Sequence, residues 1–403
     1  MLAKPWAKLL RHRAGIGSAA ATILLTFAIG FVSYQRLFSS FATYDDEGYV
    51  MVSLRQFMAG GALYDEVYSQ YGPAYYWLAS LLHRATDWPV THDVTRIKTL
   101  AVWMSVSLLA AGWLYRVTRS RAIAAIGLLF VSFHLERLAM EPGHPQELCV
   151  LAVAACMFFA TFIRGDSADW RVVVGMGVAT ALCVMTKVNV GLFLLLSISA
   201  AMLFATRSDR LRNILLGGFL AAMVALPIAI GRHELFSWHG CRLPILLTTA
   251  VALTSWTCTR VSLQPIFALR HSFCFWGVAG LVSLVIVLGT VASGTSCSGL
   301  ADGVLFQHMS FVDIHYHAPP IHALAPLASL FAVLVARRVF EYRSTMAFQG
   351  RRPMGSDSID GLGRLSYEMV LRAVYTLAIV LVVGAAIRHL VETFRPLYHG
   401  SQD

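Results

Sequence analysis

The chain of 403 residues is 57% hydrophobic and only 13% charged, with a formal net charge of +10 and a mean hydropathy of +0.64. An ordinary soluble chain is about 25% charged, so there is too little charge here to cover a water-facing surface. A soluble enzyme, a disordered chain and a disulfide-knit secreted module are excluded, and a polytopic membrane protein remains. Its basic residues stand in short clusters between apolar runs, the pattern of membrane loops and not of a nucleic-acid surface.

In chain order, Lys4, Lys8, Arg11 and Arg13 precede an apolar run at Ile16–Phe38. That run is long enough to span and lacks a small-residue cleavage site, so a retained first helix is expected. Further runs follow at Lys98–Tyr115, Ala122–Leu138, Leu148–Ile163, Val172–Met185, Asn189–Ala205 and Ile214–Ile230. The last four are Leu243–Trp256, Phe275–Val291, Ile321–Ala336 and Met369–Ile387. The expected fold is an all-α polytopic membrane domain over the whole chain, with about eleven transmembrane helices (roughly nine to thirteen).

Charge placement orients this threading. Most basic residues fall on one side, ending in a basic loop at Arg337–Glu368, while Asp45, Asp46, Glu47, Asp65, Glu66, Glu141, Glu147, Asp302 and Asp313 fall on the other. The positive-inside bias then puts the N-terminus in the cytoplasm and the acidic side outside, and the short, loop-poor build leads to the expectation of a bacterial inner membrane. Two extracytoplasmic segments stand out, Ser39–Ile97 and Ser293–Pro320. Within the first, Ala74–His83 is apolar but too short to span and is expected as an interfacial helix. Cys241 and Cys297 are the two thiols that an oxidising compartment could join.

The stretch Val172–Ala205 is nearly continuous and would extend about 50 Å as one helix. Arginines flank both ends, so it is expected to fold back at Thr186-Lys187-Val188-Asn189. A lysine at that depth serves either as a functional cation or as a snorkelling interfacial residue.

The first outer loop carries the densest chemistry: Tyr44-Asp45-Asp46-Glu47-Gly48-Tyr49, then Gly60-Gly61-Ala62-Leu63-Tyr64-Asp65-Glu66-Val67-Tyr68-Ser69-Gln70-Tyr71-Gly72-Pro73. Three adjacent carboxylates beside a low-dielectric region repel one another, and this favours a raised pKa suited to a general base. The interleaved tyrosines are either headgroup-level anchors or stacking platforms for sugar rings. Glu141, His144 and Glu147 form a second polar cluster, read either as ligands for sugar or acceptor or as a capped turn around Pro142-Gly143 and Pro145. His308, Asp313, His315, His317 and His322 lie in the late loop. The two-residue spacing of His315 and His317 is not that of a helical metal pair, so a binding role is favoured over a metal.

A basic N-terminus, one span, Asp-Glu-x-Tyr, Gly-x-x-Tyr and a Tyr-Gly-Pro entering an aromatic helix together resemble the GT-C membrane glycosyltransferases. Within them the chain is similar to the bacterial relatives of dolichyl-phosphate-mannose–protein mannosyltransferases, which include the lipid A aminoarabinose transferase. The likeness is strongest over Tyr44–His83, with support at Glu141–Glu147 and Thr186–Gly191. It implies a polyprenyl-phosphate-linked sugar donor, a lipid, glycan or protein acceptor, and transfer outside the cytoplasm. By the same resemblance Asp46 is the catalytic carboxylate, with Asp45 and Glu47 beside it. Where the aminoarabinose branch has a lysine before the proline, this chain has Gln70-Tyr71-Gly72. Charge on the departing phosphate is therefore expected to meet Lys187 first and Arg55 next, with Arg232 or Arg242 behind. Tyr49, Tyr64, Tyr71, Glu141, His144, His308 and Asp313 are the expected sugar or acceptor contacts. One base and one displacement imply inversion, and no cofactor is expected. The competing readings are a transporter or flippase of lipid-linked sugars and a non-catalytic binder; no inverted-repeat symmetry is apparent, and the acidic cluster lies in a loop and not mid-span.

Overall fold

The computed structural model describes residues 3–41, 46–163, 169–230, 244–252 and 266–306, with Cys241 and Ser255 singly; the side chains of residues 3–20, Asp46, Pro227, Ile230 and Phe306 lie outside that set. The helices are α1 (Ala3–Ser39), α2 (Asp46–Met58), α3 (Pro73–Thr86), α4 (His92–Thr118), α5 (Arg121–Leu135), α6 (Gln146–Ala160), α7 (Trp170–Thr186), α8 (Val188–Phe204) and α9 (Arg210–Ile230). After a helical stretch at 244–252 come α10 (Leu269–Ala292), the short α11 (Cys297–Ala301) and a π turn at Asp302–Phe306. Local sequence explains several boundaries. Pro73 occupies the first turn of α3, where no N–H is needed. The hydroxyls of Thr91 and Ser120 accept the N–H groups of Val94 and Ile123, capping α4 and α5.

Ala21–Ser39, His92–Thr118 and Leu269–Ala292 are long and apolar enough to cross a membrane. Ile23, Leu24, Phe27 and Phe31 of α1 are 56–74% exposed, and Leu281, Val285 and Leu288 of α10 are 57–61% exposed. Stripes of large apolar side chains facing outward on long helices are stable in hydrocarbon and not in water. The described chain is thus all-α and of membrane type. Its only β pairing among the described residues is two isolated bridges, Leu63–Val67 and Thr206–Phe267.

Most expected runs coincide with helices, but fewer reach spanning length. The helices Gln146–Ala160, Trp170–Thr186 and Val188–Phe204 are apolar yet only 15 to 17 residues long. At 1.5 Å per residue they cover about 22–26 Å, short of a hydrocarbon core of about 30 Å. The runs at Ile321–Ala336 and Met369–Ile387 lie outside the described residues, as do Arg337–Glu368, Arg232 and Arg242. No disulfide joins cysteines among the described residues.

The chain divides into two units. The first takes Met1–Thr161, Met185–Lys187 and Ser283–Val304. In it α4 packs on α1, α5 and α6, around Leu37, Trp103, Val106, Leu135 and Ala154. The first loop builds a core of its own from Val50, Leu54, Phe57, Leu63, Val67, Tyr75 and Tyr76. Each of its Val, Leu and Phe side chains withdrawn from water contributes about 1.5–3 kcal/mol. The Trp77 indole donates to Thr290 Oγ1 (3.0 Å), fixing α3 to the end of α10.

In the second unit α8 packs on α9. Arg212 donates to the carbonyls of Leu203 (2.7 Å) and Phe204 (3.2 Å), satisfying the C-terminus of α8. Trp276 stacks on Phe219 at 5.3 Å and donates to Ser199 Oγ (2.8 Å). A Cβ built on Gly191 would fall 2.2 Å from Val184 Cα. Residues seven apart in a straight helix stand about 10 Å apart, so the chain has turned sharply between α7 and α8. The turn is Lys187 itself.

Candidate functional site

α1 ends at Ser39 and α2 begins at Asp46, so the acidic run straddles a helix start. Glu47, in the first turn of α2, is buried. Its Oε2 accepts from Arg96 at 3.0 Å, and its Oε1 lies 3.1 Å from His92 Nδ1. Arg96 is also buried. Its remaining donors reach the Ser40 carbonyl (3.0 Å) and the Leu37 carbonyl, and its guanidinium lies 4.2 Å from the Phe41 ring. One α4 arginine therefore satisfies the open carbonyls at the end of α1 and neutralises the start of α2. Glu47 thereby serves as an anchor, with both oxygens held by Arg96 and one of them also beside His92. Asp46 precedes it as the first residue of α2, and Asp45 lies outside the described residues.

The loop between α2 and α3 is held by its tyrosines. Tyr64 sits in the left-handed region (φ 71°) and donates its hydroxyl to the Tyr71 carbonyl (2.7 Å). The Tyr49 hydroxyl accepts from the Gln70 N–H (3.0 Å). Burial raises the pKa of both phenols, so both stay protonated. Exposed Asp65 accepts from the Ser296 N–H (2.5 Å) and hydroxyl (2.8 Å), tying the loop to the start of α11. Those two bonds lower its pKa. Arg55 is exposed and donates through Nε to the Val90 carbonyl at 3.0 Å, which ties α2 to the approach of α4.

At the end of this loop three segments meet. The Gly72 N–H donates to the Thr186 carbonyl (2.8 Å). A Cβ on Gly72 would lie 2.1 Å from the Met185 carbonyl oxygen, so only glycine admits this approach. Lys187 Nζ stands 6.0 Å from the centre of the Tyr71 ring, a cation–π distance. The Tyr71 hydroxyl is 2.7 Å from His144 Nε2, and the rings meet edge-on at 5.0 Å. The Gln146 backbone N–H points at His144 Nδ1 (3.2 Å). Nδ1 is thus the lone-pair nitrogen, Nε2 carries the proton, and the imidazole donates to Tyr71. Burial first, and the charge of Lys187 second, push the His144 pKa down to about 3. The ring is neutral at physiological pH.

The turn bearing His144 is itself held. Gly143 is left-handed (φ 76°); its N–H donates to Thr99 Oγ1 (2.6 Å) and its carbonyl accepts from the Tyr75 hydroxyl (3.1 Å). Buried Glu147 accepts from the Thr99 hydroxyl and the Trp103 indole, both at 3.1 Å. Glu141 is buried in the same turn.

No family model, curated protein or solved structure matches the chain. The site therefore rests on its own geometry. Of the residues singled out from the sequence, Tyr64, Tyr71, His144 and Lys187 come together, with Glu141 in the adjoining turn. Tyr49 supports the loop, while Glu47 and Arg55 serve as ties. His308 and Asp313 lie outside the described residues. Sequence reading passed over Arg96, Thr99 and Trp103. The available signal was polar side chains in the first half of an apolar span, which demand partners.

Proposed function

We propose that this protein is a membrane glycosyltransferase that moves a sugar from a polyprenyl-phosphate donor to an acceptor hydroxyl outside the cytoplasm. The observation that carries the reading is the meeting of Tyr71, neutral His144 and Lys187. These come from three segments far apart in sequence, within the unit that also holds the start of α2. A cation beside neutral hydrogen-bonding rings suits a substrate that is anionic at one end and hydroxylated at the other.

In the reaction, an acceptor hydroxyl attacks the anomeric carbon as Asp46 takes its proton. The bond from that carbon to the phosphate oxygen breaks, and the polyprenyl phosphate departs with the electron pair. Lys187 meets the charge that develops on it. Tyr71 and His144 hold sugar or acceptor hydroxyls, and Arg96 fixes the helix start from which Asp46 acts by anchoring Glu47. A single displacement inverts the anomeric configuration.

The test is transfer in detergent and in liposomes with a panel of polyprenyl-phosphate sugars. Wild-type protein should form product. Asp46→Asn should lose at least about 100-fold in rate, the low end of a general-base contribution. Lys187→Met should lose at least about tenfold, mainly when donor is limiting. Full activity in Asp46→Asn removes that residue from the base role. Movement of lipid-linked sugar across liposomes with no product in any assay replaces the reading with a flippase.

A further inference from the structure

We infer that Glu147 is a positioning residue for the Tyr71–His144 contact, acting from α4 through the Gly143–His144 turn. The inference rests on the glycosyltransferase reading for its functional consequence, but its structural content stands on hydrogen bonds alone.

Glu147 lies in the first turn of α6 and is buried. Both of its oxygens are held by α4, one by Thr99 and one by Trp103, which sit four residues apart on one face of that helix. The Thr99 hydroxyl has one proton. It gives that proton to Glu147 Oε2 and uses a lone pair to accept the Gly143 N–H. Thr99 thus couples the Glu147 side chain directly to the glycine preceding His144. That glycine has no slack, because a Cβ there would fall 2.3 Å from Thr95 Cγ2. The Glu147 N–H closes the turn on the His144 carbonyl (2.9 Å), and the Gln146 N–H fixes the His144 ring tautomer.

The chain of dependence therefore runs from Trp103 and Thr99 to Glu147 and Gly143, on to His144, and ends at Tyr71. Without the Glu147 side-chain oxygens, two buried donors on α4 lose their acceptor. Thr99 then turns its proton elsewhere, and the turn loses its register against α4. The His144 ring moves with that turn and Tyr71 loses its donor. Glu147 has no role in the chemical step, and its loss should be felt in how well substrate is held.

The test compares Glu147→Ala, Glu147→Gln, Thr99→Val, His144→Ala and Glu147→Ala/His144→Ala in the transfer assay. A second readout on the same proteins is amide exchange over residues 139–147. The expected result is at least a tenfold rise in KM for Glu147→Ala with kcat changed by less than threefold. Glu147→Gln should recover to within about threefold of wild type, since its amide oxygen still accepts from Trp103 and its NH2 can donate to Thr99. The double variant should be no worse than His144→Ala alone. Exchange over 139–147 should speed up at least tenfold in Glu147→Ala, and also in Thr99→Val, which keeps the test alive if Glu147→Ala does not fold.

Multiplying effects in the double variant would overturn the inference, as would a fall in kcat alone. So would unchanged exchange over 139–147 in Thr99→Val. If wild-type protein transfers no sugar, the glycosyltransferase reading fails by itself, and the exchange data still decide whether Glu147 holds the turn.

Discussion

Two buried polar regions of the first unit handle charge in opposite ways. At the junction of α1, α2 and α4, the Glu47 carboxylate meets the Arg96 guanidinium, which also donates to the carbonyls of Leu37 and Ser40. At the meeting of Tyr71, His144 and Lys187, a cation stands beside an aromatic face and an imidazole kept neutral. The first arrangement is matched internally and holds helices together. The second brings neutral hydrogen-bonding rings and a positive charge together, and it is the arrangement on which the proposed function rests. Buried charge on its own does not mark a functional site, because a matched pair such as Glu47 and Arg96 holds helices together.

The comparison breaks most visibly at the anchor. Arg96→Met leaves Glu47 buried without its cation and the α1 carbonyls without their donor. A loss of about 3–5 kcal/mol is expected, measured by unfolding in detergent. Arg96→Met/Glu47→Leu removes both charges and should recover most of that loss. If the double variant is as unstable as the single, the pair is not the matched anchor described here.

A smaller effect sharpens the other side. His144 has its pKa depressed from an ordinary 6.5 to about 3, so the unfolded chain binds this proton more readily than the folded one. The stability contributed by neutral His144 is complete above about pH 6.5 and drains away as pH falls toward 3. The slope is at most about 1.4 kcal/mol per pH unit from this one group. His144→Gln should flatten that part of the profile. An unchanged slope would mean that the imidazole is not held neutral.

The smallest effect is at the surface. Asp65→Asn should loosen the tie to Ser296 and speed amide exchange over residues 293–301 by a few fold, with little change in the unfolding midpoint. Because the Asp65 pKa is lowered, the wild-type tie is complete above its ordinary value near 3.8 and weakens as pH falls below it. The variant should show no such dependence.

Much of this arrangement is legible in the residues. Pro73 announces the start of α3, and Thr186-Lys187-Val188-Asn189 is the one polar interruption in a long apolar run, where the chain does turn. The acidic run, the Tyr-Gly-Pro and the His144 turn are visible as islands of polarity in a chain with so little of it. What the sequence hides is pairing over distance. Glu47 and Arg96 are 49 positions apart, and Glu147 and Trp103 are 44 apart. Periodicity reports which face of a helix is apolar but not which partner a polar residue on it will meet. For the same reason Glu47 reads as one of three equivalent acids until its arginine is known. The span count is blurred differently, because helices of 15 to 17 residues give hydropathy signals like those of full spans.

The hydrogen bond from Gly72 to Thr186 has a consequence for biosynthesis. Its two ends are separated by about 110 residues, which a ribosome adding 5–20 residues per second needs roughly 6–20 s to make. Throughout that interval the aromatic loop has already emerged but the lysine that completes it has not. The acidic helix start can assemble as soon as Arg96 is made, whereas the cationic contact must wait for the α7–α8 turn. A nascent chain stalled before that turn would carry its acid and its tyrosines but not the lysine that faces Tyr71. The order of synthesis thus brings Lys187 in after the aromatic loop but before Thr290 and Ser296, whose ties to Trp77 and Asp65 complete the scaffold.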